Sequence, residues 1–266
     1  MVDYGIKGRV ALVVGGSKGM GFEAAKTLAD EGCPVAVVAR TRADIDTAVE
    51  AIHDRGGTAI GVSADISQRG EVEDAVRRVR DQLGPPLIVI GQTKYQKPGD
   101  FADITDPEPY RESFEAYTIS QFHLLHAVLP GMRDAGWGRF VHVGSATAKE
   151  PNGNIHHVVA NATRPSTIGL LKTVADEYAR YGITVNTVAP GWIETQNAID
   201  YFKNHIGLDT EEQRREFMLN QARVPAARMG TATEIASLIV YLCSENAGYI
   251  TGSWIEVDGG VHRSAF

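Results

Sequence analysis

Short runs of apolar, largely β-branched residues alternate along the chain with stretches whose apolar positions recur at helical spacing. RVALVV (9–14), PVAVVA (34–39), TAIGVSA (58–64), PLIVI (86–90), RFVHVG (139–144) and ITVNTVA (183–189) are apolar nearly throughout, not at every second position. That pattern predicts strands covered on both faces. Between them MGFEAAKTLADEG, RADIDTAVEAIHDRGG, RGEVEDAVRRVRDQLG and TISQFHLLHAVLPGM read as helices, most of them ending at Gly or Pro. Strand alternating with helix predicts right-handed crossovers and a doubly wound parallel α/β sheet. No repeat and no Ser/Pro-rich linker divides the chain, so residues 1–266 are expected to form a single domain. One irregular stretch, residues 192–230, falls between a strand end and the next helix, where a long insertion is expected to act as a substrate lid.

Composition narrows the class without changing this picture. The 266 residues are 43% hydrophobic and 22% charged, ordinary proportions for a globular protein. A net charge of −7 argues against a nucleic-acid partner. No run reaches the ~18 apolar residues of a membrane span, and MVDYGIKGRV carries charge where a signal peptide would be apolar. Cys33 and Cys243 are too few for a disulfide framework or a metal site, so a reducing cytoplasm is expected.

The first candidate site is VVGGSKGMGFEAA, where Gly15, Gly19 and Gly21 follow a strand and open a helix. Glycines at that point let backbone N–H groups approach a pyrophosphate at a helix N-terminus, whose dipole favours negative charge. Such a turn also serves purely structural ends, but its place after the first strand of an alternating chain points to a Rossmann-type dinucleotide site. The second strand ends AVVARTR, with Ala39 where an NAD-selective site would place a carboxylate, followed by Arg40 and Arg42. Arg40 and Lys18 are positioned to clamp a 2′-phosphate, so NADP(H) is the expected cofactor.

These residues and others downstream resemble the short-chain dehydrogenase/reductase family over nearly the whole chain, in the manner of the 3-oxoacyl-ACP reductases. GGSKGMG is similar to its glycine motif, which implies cofactor contacts from Gly15, Ser17, Lys18, Gly19, Met20 and Gly21. SADIS matches the acidic motif after the third strand, implying that Asp65 and Ile66 meet the adenine. LPGM precedes the strand leading to Ser145, which corresponds to the catalytic serine. VNTVAPGWIET matches the sixth-strand motif, in which Pro190, Gly191, Ile193 and Thr195 line the nicotinamide. YITGSWIEVDGG resembles the last strand, often part of a subunit interface. The resemblance implies a homotetramer, to which the last strand and the helix carrying Leu170, Leu171, Val174 and Ala175 would contribute apolar faces.

The departures are equally specific. After the fourth strand the family has Asn-Asn-Ala-Gly and this chain has Ile90-Gly91-Gln92-Thr93. Tyr117 stands where alignment through LPGM puts the family's proton-relay asparagine. The catalytic tyrosine and lysine, four residues apart, fall on Ala160 and Arg164 when counted back from LLKTVADEYARYGITVN. Counting forward from Ser145 gives Val158, which implies a small insertion. Neither register yields a tyrosine. Arg164 can hydrogen-bond the nicotinamide ribose, but being always charged it cannot relay protons. Three replacements are open: His156 or His157 as general acid, a phenol from Tyr117 or Tyr95, or Ser145 acting alone on a carbonyl or enolate. The bland alternatives are solvent-facing loop histidines and aromatics that merely pack.

Three function classes follow. The first is an NADP(H)-dependent oxidoreductase with a reworked acid–base apparatus, reducing a carbonyl or conjugated double bond of an apolar small molecule. Family members that reduce enoyl or dienoyl thioesters also lack the tyrosine at this spacing, but they keep the lysine. The second is a redox-neutral dehydratase, cyclase or isomerase, and the third a non-catalytic binding subunit. Trp192, Tyr201, Phe202, Phe217 and Met218 in the expected lid suggest an apolar ligand, although such residues also cover cores. No metal site is expected.

Overall fold

The all-apolar runs become strands with helices against both faces. The computed structural model describes residues 3–92, 98–151 and 156–264. In it β1 (Val10–Val14), β2 (Val35–Ala39), β3 (Ala59–Ser63), β4 (Pro86–Gln92), β5 (Gly138–Val143), β6 (Ile183–Pro190) and β9 (Trp254–Val257) form one sheet in the order β3-β2-β1-β4-β5-β6-β9. Every neighbouring pair is parallel. Alternate strand residues supply two separate cores. Val13, Val37, Ile88 and Val141 pack on one face with Leu28 of α1 (Gly19–Asp30), Ile45 of α2 (Arg42–His53) and Ile235 of α9 (Ala232–Cys243). Leu12, Val38, Val89 and Phe140 pack on the other with Val72 of α3 (Arg69–Leu83), Leu124 of α5 (Ser120–Asp134) and Leu171 of α6 (Val158–Tyr178). The chain order reverses between β1 and β4, and ligands of such sheets bind at the carboxyl ends of the strands beside that point.

The helix expected to begin at Thr118 in fact begins at Glu108. α4 (Glu108–Phe114) passes through a π-helical turn (Glu115–Ile119) directly into α5. Its first turns are too charged to show apolar periodicity, and Pro109 sits where the helix has no use for its missing N–H. The π turn matters because it sets the rotation at which Tyr117 leaves the helix.

Residues 192–230 are more ordered than their sequence suggests. β7 (Ile193–Glu194) pairs with β8 (Gly230–Thr231), closing the base of the insertion. Between them lie α7 (Gln196–Tyr201), which runs on into a π turn (Phe202–Ile206), and α8 (Glu211–Asn220), started by a Thr210/Gln213 capping box. Phe202, Phe217, Met218 and Val224 are buried against Trp192 in a small core of their own. These side chains therefore hold the insertion together, which removes Phe202, Phe217 and Met218 from the apolar ligand wall expected of them. Leu171 and Ala175 are likewise spent in the main core, leaving only the partly buried Leu170 and Val174 of the four expected at a subunit interface. Cys33 and Cys243 are free and buried, and burial pushes the Cys33 thiol up to about 12. No helix among the described residues is long and apolar enough to cross a membrane.

Candidate active site

The turn after β1 is built around glycines. Gly15 (φ +69°) and Gly19 (φ +55°) adopt left-handed backbone. A Cβ on Gly21 would collide with the Gly15 carbonyl and lie 2.6 Å from Gln92 Oε1. Helix α1 then starts with no acidic residue in its first turn and no side-chain cap from Lys18, so its leading N–H groups are free for an anion. Ser17 lies half-buried in the turn, and Met20 packs its side chain on the core beneath. Gln92 Oε1 is buried against this turn with no hydrogen-bond partner among the described residues. These features fit a dinucleotide pyrophosphate.

The opposite wall comes from the end of β6. A Cβ on Gly19 would lie 3.3 Å from Thr195 Cγ2, so Thr195 borders the glycine turn while its hydroxyl caps α7. Gly191 follows Pro190, and its N–H donates to the Val257 carbonyl (3.1 Å). A Cβ there would lie 2.7 Å from Asp258 Cβ, so only glycine lets β9 come this close. Ile193 is buried in the main core, which separates its side chain from the cleft-lining role the resemblance implies.

At the adenosine end, Asp65 follows β3 and accepts from Ser67 N–H (3.0 Å) and Oγ (2.8 Å), while Ile66 packs on the core toward α3. Arg40 is exposed just past β2. Lys18, its expected companion, is held by Asp44 of α2 at 2.8 Å. A 2′-phosphate would have to compete with that carboxylate.

The chemistry-bearing residues converge after β5. Ser145 lies two residues beyond the strand, at the head of a 3₁₀ turn (Ala146–Ala148). From α6, Arg164 reaches into the same space. Its Nε and Nη2 donate to Tyr117 Oη (3.3 and 3.2 Å), and its Nη1 donates to Thr147 Oγ1 (2.5 Å) and Ser145 Oγ (3.4 Å). Tyr117 is buried, and its ring lies 5.3 Å from the guanidinium carbon. Hydroxyl pairs stitch the π turn to α6. Thr167 donates to the Tyr117 carbonyl (2.9 Å), Thr118 meets Ser166 (2.5 Å), and Ser113 meets Thr163 (2.6 Å). Ala160, one turn before Arg164, shares its helix face and is buried. Ala160 and Arg164 thus share the α6 face that meets Ser145.

The two histidines separate. His156 is exposed, with φ +45°, and its Nδ1 lies 2.6 Å from Asp100 Oδ1. It pins residues 98–100 to the start of α6 and takes no part in the cluster. His157 is largely enclosed, and its ring lies 5.6 Å from that of Tyr201 on the insertion. Burial, with Arg164, His156 and His205 nearby, lowers its pKa to about 4. At neutral pH it is an uncharged imidazole, unable to serve as an imidazolium acid. Thr93 and Tyr95 lie outside the described residues. Thr147 is the partner that sequence reasoning missed, although the hydroxyl spacing in SATA was a visible cue; Tyr201 was expected in the lid, but not as the partner of His157.

Residues 14–262 match the family described as enoyl-(acyl carrier protein) reductase. The 3-oxoacyl-(acyl-carrier-protein) reductase of Pseudomonas aeruginosa is 31% identical over 260 residues, covering 97% of this chain and 99% of that one. The acetoacetyl-CoA reductase of Rhizobium meliloti is 32% identical over 252 residues, with 95% and 98% covered. Among solved structures, L-sorbose reductase from Gluconobacter frateurii in complex with NADPH and L-sorbose superposes with TM-score 0.91 at 27% identity, covering 99% of this chain and 100% of that one. An NADPH-bound short chain oxidoreductase from Pseudomonas aeruginosa, described as containing an atypical catalytic center, also gives 0.91, at 28% identity with 98% and 100% covered.

Proposed function

This chain belongs to the short-chain dehydrogenase/reductase family, and we propose that it is an NADP(H)-dependent reductase of a carbonyl or conjugated double bond whose proton donor is Tyr117. The carrying observation is the placement of two Arg164 N–H groups on Tyr117 Oη, with Ser145 on the same guanidinium. The bound nicotinamide would supply a hydride to the substrate carbon. The glycine turn and the α1 N-terminus would hold the pyrophosphate, and Arg40, with Lys18 drawn from Asp44, the 2′-phosphate. Asp65, Ile66, Pro190, Gly191 and Thr195 would frame the adenine and nicotinamide ends.

For a carbonyl, Ser145 Oγ–H orients the oxygen and Tyr117 Oη–H gives it a proton, leaving an alcohol. The negative charge left on Tyr117 Oη faces the two guanidinium N–H groups already aimed at it. A proton from solvent then restores the phenol. Arg164 thus stabilises charge instead of carrying a proton, which fits its permanent ionisation. His157 stays neutral beneath Tyr201 and lines the mouth. Residues 192–230 act as the lid, moving as a unit on their own small core. The protein would assemble as a homotetramer, and light scattering showing a monomer at micromolar concentration would refute that.

The test is NADPH oxidation against a panel of ketones and enones. Turnover that Tyr117→Phe lowers about a hundredfold or more supports the reading. Substrate consumed with no loss of NADPH overturns it in favour of redox-neutral chemistry.

A further inference from the structure

The cluster around Ser145 holds more hydrogen-bond donors than acceptors to receive them. A guanidinium has five N–H groups. Of these, Nε–H and one Nη2–H go to Tyr117, and the two on Nη1 go to Thr147 and Ser145. One Nη2–H is left over. Ser145, Thr147 and Tyr117 each bring a hydroxyl hydrogen, and the Ser145–Thr147 contact at 3.1 Å uses just one of the three. Two O–H groups and one N–H therefore have no acceptor among the described residues.

The charge is unmatched as well. Among the described residues no carboxylate pairs with Arg164, and the segments 93–97 and 152–155 contain no Asp or Glu. A half-buried cation without a counter-charge is costly, and so are donors left unmade. Water can meet the spare donors but not the charge. The small cavity beside the cluster, lined in part by Tyr117, His142, Ser145, Arg164 and Trp254, measures about 10 Å³ and has room for one water, whereas Ser145, Thr147 and Arg164 are only half-buried and a larger anion would reach them from outside it. A water there can accept two hydrogens but carries no charge.

We propose that this cluster is a carboxylate-binding subsite and that the substrate is a small oxo acid, a 2- or 3-oxocarboxylate, not a neutral ketone. This rests on the reductase reading above and names its substrate class. The carbonyl takes the two spare O–H groups, and the carboxylate beside it brings acceptors for the spare Nη2–H and a negative charge for the guanidinium. A neutral ketone presents a single oxygen and leaves the guanidinium unpaired. The insertion is consistent with a small polar ligand, because Phe202, Phe217 and Met218 are turned into their own core.

The test is titration calorimetry on the protein saturated with NADP⁺, comparing pyruvate and acetoacetate with their methyl esters. At least one acid should bind at least about tenfold more tightly than its ester, as a charge-assisted contact requires. Arg164→Gln should abolish that difference, Arg164→Lys should keep part of it, and Thr147→Val should weaken acid binding severalfold. NADP⁺ affinity in each variant reports whether it has folded. Esters that bind as well as both acids, or discrimination that survives Arg164→Gln, would overturn the subsite. NADPH oxidation in the same samples separates the two readings. An acid that binds in an Arg164-dependent way without ever being reduced refutes the reductase reading and leaves the subsite standing. Turnover of neutral ketones with no preference for acids does the reverse.

Discussion

The turn after β1 and the cluster after β5 lie at the same carboxyl edge of one sheet, yet they are built on different principles. The turn works through backbone. Its glycines allow left-handed φ and close approach, and its N–H groups point out of a helix end that no side chain caps. The cluster works through side chains: one guanidinium, one phenol and two aliphatic hydroxyls, drawn from three separate elements. The contrast gives a physical reason why the expected departures from the family fall in the side-chain half and not in the backbone half. A backbone cradle tolerates almost no change at its glycines. Helix α6 is anchored by its buried residues Val159, Ala160, Thr163, Thr167, Leu171 and Ala175, so the half-buried position 164 is the one open to exchange at little cost to the fold.

If the two halves are separable, Arg164→Gln should lower kcat/KM by about a thousandfold while the Kd for NADPH stays within about threefold. Steady-state kinetics beside fluorescence titration of NADPH would decide it, and a collapse of cofactor affinity would show the halves to be one site. The double substitution Ala160→Tyr, Arg164→Lys sharpens the point. It should leave activity on simple ketones at least about a hundredfold below the natural protein on its own substrate, because a new phenol near Tyr117 and the rebuilt Gly91–Gln92 segment is held out of place. Ketone reduction at a full rate would show that the pocket differs from an ordinary ketoreductase by two side chains only.

On the cofactor side, Arg40→Asp should reverse a preference for NADPH over NADH, a swing of about tenfold or more given a charge-assisted contact replaced by repulsion. Asp44→Asn should shift it the other way by a smaller factor, since it releases Lys18 from its 2.8 Å partner. Equal affinities for the two cofactors in the natural protein would remove the basis for both.

The smallest effect concerns stability. His142 is fully buried, with a ring nitrogen 3.1 Å from the Gly91 carbonyl, and burial brings its pKa, like that of His157, down to about 4. Unfolding lets both take a proton near their ordinary 6.5, so the unfolded chain binds more protons between those values and stability rises with pH there. Tm should be lower at pH 5 than at pH 7 by on the order of 5 °C, and His157→Gln should remove part of that slope. A Tm independent of pH between 5 and 7 would show that both rings are solvated.

The strands, their all-apolar character and the parallel order follow from local pattern, because a strand buried on both faces has no polar alternative. The glycine turn is legible for the same reason, since its conformation depends on residues adjacent in the chain. So is the expected loss of the usual tyrosine, which rests only on a count along α6. What the sequence could not decide is which surviving groups meet. Tyr117, Ser145, Thr147 and Arg164 come from a π turn, a strand end and a helix separated by up to 47 residues, and their contacts depend on how α4 and α6 are stitched together by Ser113–Thr163 and Thr118–Ser166. Two histidines adjacent in sequence were equal candidates until the backbone turned at His156, sending one toward Asp100 and the other under Tyr201. The aromatic residues of the insertion were equally ambiguous, because an apolar side chain satisfies a ligand wall and a small core alike. Only the packing around Phe202 distinguishes them.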